Sequence, residues 1–123
     1  MNKLILAVCA AAGLAAGCGS TAPLTFCNNF QIEACAREFE CQDAATKASA
    51  NFIAVFGASQ SECESKLKSK SCATVTNDHP CSDSSTKYHP DKADACYGDL
   101  KAASCATIVG GTFLSGNCNA VCS

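Results

Sequence analysis

Cysteine is the residue type in this chain that offers the most chemistry. The chain has 123 residues, and twelve of them are cysteines. A thiol can be acylated, bind a metal, act as a nucleophile or form a disulfide, depending on its neighbours and its compartment. Cys18 differs from the others because it ends the sequence Leu14-Ala15-Ala16-Gly17-Cys18, which follows a charged start and a short apolar run.

That order of segments is typical of a bacterial lipoprotein signal peptide. Lys3 supplies the charged start, and residues 4–14 are almost wholly apolar but too few to cross a bilayer as a helix. A signal of this kind ends at a cysteine whose thiol receives a diacylglycerol before cleavage. The sequence therefore predicts a signal peptide over residues 1–17 and lipidation of Cys18. An ordinary secretory signal followed by an incidental cysteine is the alternative.

Residues 18–25 are predicted to be the lipidated cysteine and a tether. They contain the small and polar run Gly-Ser-Thr-Ala-Pro, which is typical of a flexible linker. By resemblance to lipoprotein sorting in Gram-negative bacteria, Gly19 in place of Asp after the lipidated cysteine implies export to the outer membrane. We therefore expect an exported protein that is held at the outer membrane by lipid.

The other cysteines are expected to form disulfides. Removal of the signal takes Cys9 and lipidation occupies Cys18, so the twelve cysteines become ten. An even number in an oxidising compartment predicts disulfides throughout, but the pairing stays open, because ten cysteines allow about 945 pairings. The predicted disulfide cysteines are Cys27, Cys35, Cys41, Cys63, Cys72, Cys81, Cys96, Cys105, Cys118 and Cys122.

Composition indicates one small domain that needs these cross-links. The chain has no Trp, two Tyr and six Phe, so its apolar core is small. Without Lys3, eight Lys and Arg stand against eleven Asp and Glu, and they form no basic cluster. Nucleic acid is therefore not an expected partner. We predict a single disulfide-rich domain over residues 26–123.

Apolar residues recur at helical spacing through most of this domain. We predict an all-α fold, a bundle of about four short helices with long loops. The predicted helices cover residues 26–42, about 44–56, about 60–71 and 90 to about 105, with a short turn or helix at 115–122. A short strand at 52–56 is an alternative. Residues 73–89 are predicted to be a loop tied down at Cys81.

Two local patterns mark helix starts. Ser59 and Ser61 are each followed three residues later by a glutamate, Glu62 and Glu64, and both pairs fit the capping box. Pro90 suits the first position of a helix, where its missing N–H is not needed.

An internal repeat relates residues 63–75 to residues 96–108. Seven of thirteen positions are identical at an offset of 33 residues, and each copy has two cysteines nine residues apart. Nine residues turn a helix through about 180° relative to a whole number of turns. Each of these helices is therefore predicted to be cross-linked to two neighbours. The alternative is that the second cysteine lies just beyond the helix and ties the exit loop.

The cysteine spacing resembles that of small cysteine-rich lipoproteins of unknown function from myxobacteria and related Gram-negative bacteria. The matching patterns are Cys35-x5-Cys41, Cys63-x8-Cys72, Tyr88-His-Pro-x5-Cys96-x3-Leu100-x4-Cys105 and Cys118-x3-Cys122. The residue before the proline is usually Asp in that group, whereas here it is His89, so Asp91 is the expected negative charge at the helix start. The resemblance implies no known activity.

No set of residues predicts catalysis or metal binding. His79 and His89 are the only histidines, and with the nearby Asp78, Asp83 and Asp91 they show no metal-ligand spacing. Fully paired cysteines leave no thiol nucleophile, and no phosphate loop, Gly-x-Ser-x-Gly or Rossmann pattern occurs. We therefore predict no enzyme, no catalytic residue, no metal and no cofactor.

Three functions remain to be weighed. The predicted one is a structural or interaction module of the cell envelope, attached to the membrane through lipid on Cys18 and contacting an unidentified envelope protein. A secreted inhibitor or enzyme would use the exposed loop between Cys72 and Cys96. A carrier of a small apolar ligand would use a cavity lined by aromatic side chains that core packing explains equally well. Those side chains are Phe30, Phe39, Phe52, Phe56 and Phe113.

Overall fold

A computed structural model describes residues 21–111, 113 and 115–123 of the protein. The predicted signal peptide over residues 1–17 and Cys18, the predicted lipidation site, lie outside these residues. The described residues form seven helices and no strand. The helices are α1 (Pro23–Cys41), α2 (Ala44–Lys47), α3 (Ala50–Phe56), α4 (Gln60–Ser71), α5 (Pro90–Ala102), α6 (Cys105–Val109) and α7 (Gly116–Asn119). The predicted fold class, a mainly α, disulfide-rich bundle of about four short helices with long loops, is confirmed.

Helix α1 is the element against which the others pack, because α4, α5 and α6 all contact it. It begins at Pro23, three residues before the predicted start. Proline is favoured there because its φ angle is already helical and its missing N–H would have no partner. Residues 23–25, assigned above to the tether, are therefore helical.

The segment predicted as one helix over residues 44–56 forms two short helices. The Asp43 side chain accepts a hydrogen bond from Thr46 N at 2.7 Å and caps α2. The Ser49 hydroxyl accepts one from Phe52 N at 3.2 Å and caps α3. Because each cap begins a new helix, two caps six residues apart divide the segment into two helices. The strand alternative is excluded because residues 50–56 are helical.

Helix α4 begins with one of the two predicted capping boxes. Ser59 Oγ accepts a hydrogen bond from Glu62 N at 3.2 Å, and Glu62 Oε2 accepts one from Ala58 N at 2.9 Å. The glutamate thus reaches one residue before the cap. Gly57, with φ of 88°, makes room for it, because a Cβ there would lie 2.8 Å from the Glu62 side chain. Ser61 lies inside the helix, so the second predicted box is wrong.

Helix α5 ends three residues before the predicted position. Ala103 is extended, with φ of −61° and ψ of 139°, and Ser104 Oγ accepts from Thr107 N at 3.2 Å to cap α6. The Arg37 guanidinium of α1 donates to the Ala103 carbonyl and so fixes the end of α5 against the far end of α1. The helix is interrupted here because serine is favoured at the N-cap of a helix over a position in the helix interior, and Ser104 caps α6.

All ten cysteines of the described residues are paired. The five disulfides are Cys27–Cys72, Cys35–Cys63, Cys41–Cys105, Cys81–Cys122 and Cys96–Cys118.

The repeat is not cross-linked as predicted. Cys63 and Cys72 both bond to α1, so α4 is not joined to two neighbours. Cys72 is the residue just beyond α4, and Cys105 lies beyond α5 as the first residue of α6. The 180° separation does not apply, because each helix ends before its second cysteine. The alternative, in which that cysteine ties the exit from the helix, is correct.

The two disulfides between α1 and α4 form a ladder. Cys27 and Cys35 lie eight residues apart on α1, a rise of about 12 Å, and Cys63 in α4 and Cys72 at its C-terminal cap are nine residues apart, a rise of about 13.5 Å. The earlier cysteine of α1 bonds to the later cysteine of α4, so the two helices run antiparallel with matched spacing.

The buried core is small and rich in sulfur. The largest fully buried side chains are Cys35, Cys63 and Cys96. One buried cluster of Ala93, Cys96 and Val121 is covered by half-buried aromatic side chains. Cysteines therefore occupy the positions that large apolar side chains fill in a domain with a bigger core.

Candidate functional site

The end of the bundle at which α1 and α5 begin holds the chain that leads towards Cys18. Thr21 Oγ1 donates to Asp94 Oδ1 at 2.5 Å, and the Tyr88 hydroxyl donates to the Thr21 carbonyl at 2.8 Å. Tyr88 precedes α5 and Asp94 lies in its second turn, so the start of α5 at Pro90 positions both partners. Thr21 is thereby fixed to the body of the domain.

Tyr88 is well suited to this contact. Its ring packs 6.4 Å from that of Phe26 and against the buried cluster around Ala93. Burial and the nearby Asp94 carboxylate raise the pKa of Tyr88 to about 12. The hydroxyl therefore stays protonated and remains a hydrogen-bond donor through the neutral range.

The long loop over residues 73–89 lies at the same end. The disulfide Cys27–Cys72 fixes the beginning of the loop to α1. The disulfide Cys81–Cys122 fixes the middle of the loop to the segment that follows α7. Lys87 N donates to Ser123 O at 3.0 Å and Ser123 N donates to Lys87 O at 3.2 Å, around an isolated bridge between Tyr88 and Cys122. The chain end and the loop end are thus joined.

Thr21 is one of the residues that line an open groove of about 630 Å³. Both apolar groups and hydrogen-bond donors line the groove. Leu24, which follows the lining residue Pro23 in the sequence, is 38% exposed. The lining residues are Thr21, Ala22, Pro23, Asn77, Pro80, Thr86, Lys87, Tyr88 and Pro90.

Asp83 and His89 make local contacts with the loop and with the end of the described chain. Asp83 Oδ1 accepts from Ser85 N at 2.8 Å and from Ser85 Oγ at 2.7 Å, which lowers the pKa of Asp83. His89 Nε2 lies 3.3 Å from Ser123 O, and its side chain does not cap α5, whereas Asp91 occupies the first turn. Residues 21–111, 113 and 115–123 contain no group of three or more His, Cys, Asp or Glu that could hold a metal ion.

The five phenylalanines predicted to line one cavity fall into two sets. Phe39 and Phe56 pack on Phe52, with ring centroids 5.3 and 4.9 Å apart. Phe30 and Phe113, 6.4 Å apart, line a separate open hollow of about 270 Å³ with Leu100 and Ile108. The described ring contacts therefore do not join the five in one group, because α1 places Phe30 and Phe39 on different neighbours.

Another open groove, of about 680 Å³, runs between α3 and α4. It is lined in part by Val55 and Leu67 and bordered by Lys66 and Lys70. Val55 is 57% exposed, and Lys66 Nζ donates across the groove to the Ile53 carbonyl at 3.2 Å. This contact ties the two helices together.

Sequence reasoning found half of the arrangement around Thr21. The pattern Tyr88-His89-Pro90 predicts a helix start. Thr21 is predicted to belong to a flexible tether, and its hydrogen bonds to Tyr88 and Asp94, 67 and 73 positions away, leave no local signal. Thr21 is polar and precedes Ala-Pro, which gives it the composition of a linker.

Comparison with known proteins gives no further guide. No family model matches the chain, and no curated protein and no solved structure is significantly similar to it. Among the described residues, no helix combines the length and apolar character needed to cross a membrane. The five disulfides fit a protein exported to an oxidising compartment.

Proposed function

We propose that this chain is a lipid-anchored, cysteine-rich protein of the outer membrane that acts as a structural or interaction module of the cell envelope. The observation that carries the proposal is the complete pairing of the ten described cysteines. No described cysteine is left as a disulfide partner for Cys18, so its thiol is available for a lipid. The signal-like residues before Cys18 support the same assignment.

An interaction role fits the chemistry of the surface better than catalysis does. The groove at Thr21 and the groove between α3 and α4 are open to solvent. The pKa shifts have local causes: the Asn117 amide lowers the pKa of Asp99, and Thr46 lowers that of Asp43. The resemblance to envelope lipoproteins of myxobacteria points in the same direction. The partner we propose, besides the membrane, is an unidentified envelope protein.

The experiment that tests the anchor compares Cys18→Ser with Cys9→Ser in a Gram-negative host fed a labelled fatty acid. Wild type and Cys9→Ser should both carry label and sediment with the outer membrane, because the predicted cleavage removes Cys9. Cys18→Ser should carry no label and should be soluble or accumulate as an uncleaved precursor. A Cys18→Ser protein that is processed normally and keeps the label would refute the proposal.

The hollow at Phe30 and Phe113 is the observation that favours a second candidate, a carrier of a small apolar ligand. Its volume of about 270 Å³ lies just below the range of about 300–1,000 Å³ usual for small-molecule sites. Titration of the Cys18→Ser protein with a fluorescent fatty acid tests it, and Phe30→Ala should alter the affinity. Absence of saturable binding would remove this candidate.

A further inference from the structure

The short chain between Cys18 and the folded domain limits how the domain can sit on a membrane. Thr21 is held by Asp94 and Tyr88, so only residues 19 and 20 separate Cys18 from a fixed point. Three Cα–Cα steps of 3.8 Å reach at most about 11 Å. This inference rests on the proposed lipid anchor and adds to it the orientation of the domain.

That reach is close to the thickness of a headgroup layer. A bilayer of about 40–45 Å with a hydrocarbon core of about 30 Å has headgroup layers of roughly 5–8 Å. A lipid on Cys18 places that residue at the interface, so Thr21 lies within or just outside the headgroups. The surface around Thr21 must then meet them as well.

We call the surface formed by residues 21–24, 77–80 and 86–90 the anchor face. It contains the groove of about 630 Å³ that Thr21 lines in part. Helices α1 and α5 both start here and lead away from it, and Arg37 joins their far ends through the Ala103 carbonyl. With 19 residues, α1 spans about 28 Å, so its end at Cys41 lies far from this surface.

The chemistry of the anchor face suits an interfacial layer. Leu24 is partly exposed, and Lys87 is an exposed cation among the amide and hydroxyl groups that line the groove. Asp78 and Asp91 lie at the same end, and Asp91 is 3.8 Å from Lys92, so the cations do not outnumber the carboxylates. Charge alone therefore does not bind this face to lipid, and the short chain is the main constraint.

We propose that the chain between Cys18 and Thr21 holds the anchor face against the phospholipid headgroups of the membrane in which Cys18 is anchored. The ends of α1 and α5 near Cys41 and Ala103 then point away from the bilayer and are presented to partners in the surrounding space.

The test uses the lipidated protein in nanodiscs of phosphatidylethanolamine and phosphatidylglycerol that contain a lipid with a nitroxide on its headgroup. The amide NMR signals of Leu24, Lys87 and Tyr88 should broaden strongly. Those of Thr46, Lys47 and Ala103, at the other end of the bundle, should broaden several-fold less. Equal broadening at both ends, or stronger broadening at the far end, would overturn the orientation.

A spacer variant isolates the role of the short chain. Insertion of sixteen Gly and Ser residues between Ser20 and Thr21 leaves every contact of the domain in place and should reduce the broadening of the anchor face to that of the far end. An unchanged pattern in this variant would also overturn the proposal. Intact mass separates the two claims. A protein without lipid on Cys18 refutes the anchor and the orientation together, whereas a lipidated protein with uniform broadening refutes the orientation alone.

Discussion

Helices α4 and α5 carry the two copies of the same repeat and yet are held in place differently. In α4 the buried residue is Cys63, and Leu67 is only half-buried. In α5 the residues Ala93, Cys96 and Leu100 are all buried. The leucine that both copies share is therefore a core residue in only one of them.

The difference shows what the disulfides replace. Cys63 is the buried residue of α4, and two disulfides join this helix to α1 as a ladder. Helix α5 packs on the cluster around Ala93, and one disulfide, Cys96–Cys118, joins it to α7. Where side chains cannot bury enough surface to offset the entropy of ordering a helix, covalent bonds constrain the unfolded chain instead.

The largest effect is expected from removing the ladder. A variant with Ala at Cys27, Cys72, Cys35 and Cys63 should lose about 5 kcal/mol or more of unfolding free energy, because loss of one native disulfide typically costs 2–5 kcal/mol. Hydrogen exchange should show loss of protection over residues 60–71. The control Cys96→Ala/Cys118→Ala should keep protection over residues 93–100. Retained protection of α4 in the first variant would contradict the comparison.

The shared leucine gives the next largest contrast. Leu100 is 2% exposed, so Leu100→Ala should destabilise the disulfide-bonded domain by about 2–4 kcal/mol, whereas Leu67→Ala should cost about 1 kcal/mol. Urea denaturation of the oxidised proteins measures both. Equal losses would mean that α4 is packed as tightly as α5.

A smaller effect distinguishes the two serines at the start of α4. Ser59→Ala removes the cap and should cost about 1 kcal/mol, while Ser61→Ala, inside the helix, should change stability by less than about 0.5 kcal/mol. The same denaturation measurement checks this pair. The assignment of the cap to Ser59 fails if the order is reversed.

The smallest effect concerns one carboxylate on each helix. The Ala58 backbone N–H and Lys66 lower the pKa of Glu62 in α4, and the Asn117 and Ser115 side chains lower that of Asp99 in α5. A carboxylate whose pKa is lower in the folded state than in the unfolded state stabilises the fold. This stabilisation is fully present above the unfolded-state pKa of about 4 and is lost as the pH falls through the folded-state pKa. Because both groups are exposed, the effect is small.

Substitution should make that loss visible. In Glu62→Gln and Asp99→Asn, the urea midpoint should fall less than in wild type between about pH 5 and about pH 2. Lys101→Gln also changes the charge by one unit but leaves the hydrogen bonds of Glu62 and Asp99 in place. It serves as the control, and its urea midpoint should follow that of wild type. A midpoint that falls as steeply in both carboxylate variants as in wild type would show that neither hydrogen bond contributes.

The helices could be predicted from sequence, but the breaks and the pairing could not. Apolar spacing and the Ser59–Glu62 pair placed α4 to within a residue, because these signals are local. Ser49 and Ser104 were read as interior residues, although each caps a new helix. Disulfide pairing depends on which helices become neighbours, and the link from Tyr88 to Thr21 depends on the completed fold, so neither leaves a local pattern.

The central claim is that the disulfide frame, more than apolar packing, holds the domain together. Its most direct test is far-UV circular dichroism of the mature Cys18→Ser protein with and without reductant, after trapping of the reduced thiols. If the disulfide frame holds the domain together, the reduced protein should lose most of its helical signal and its cooperative melt at room temperature, because every described helix except α1 has 13 residues or fewer and is near or below the length that is stable alone. A reduced protein that keeps its full helical signal and melts cooperatively would contradict it.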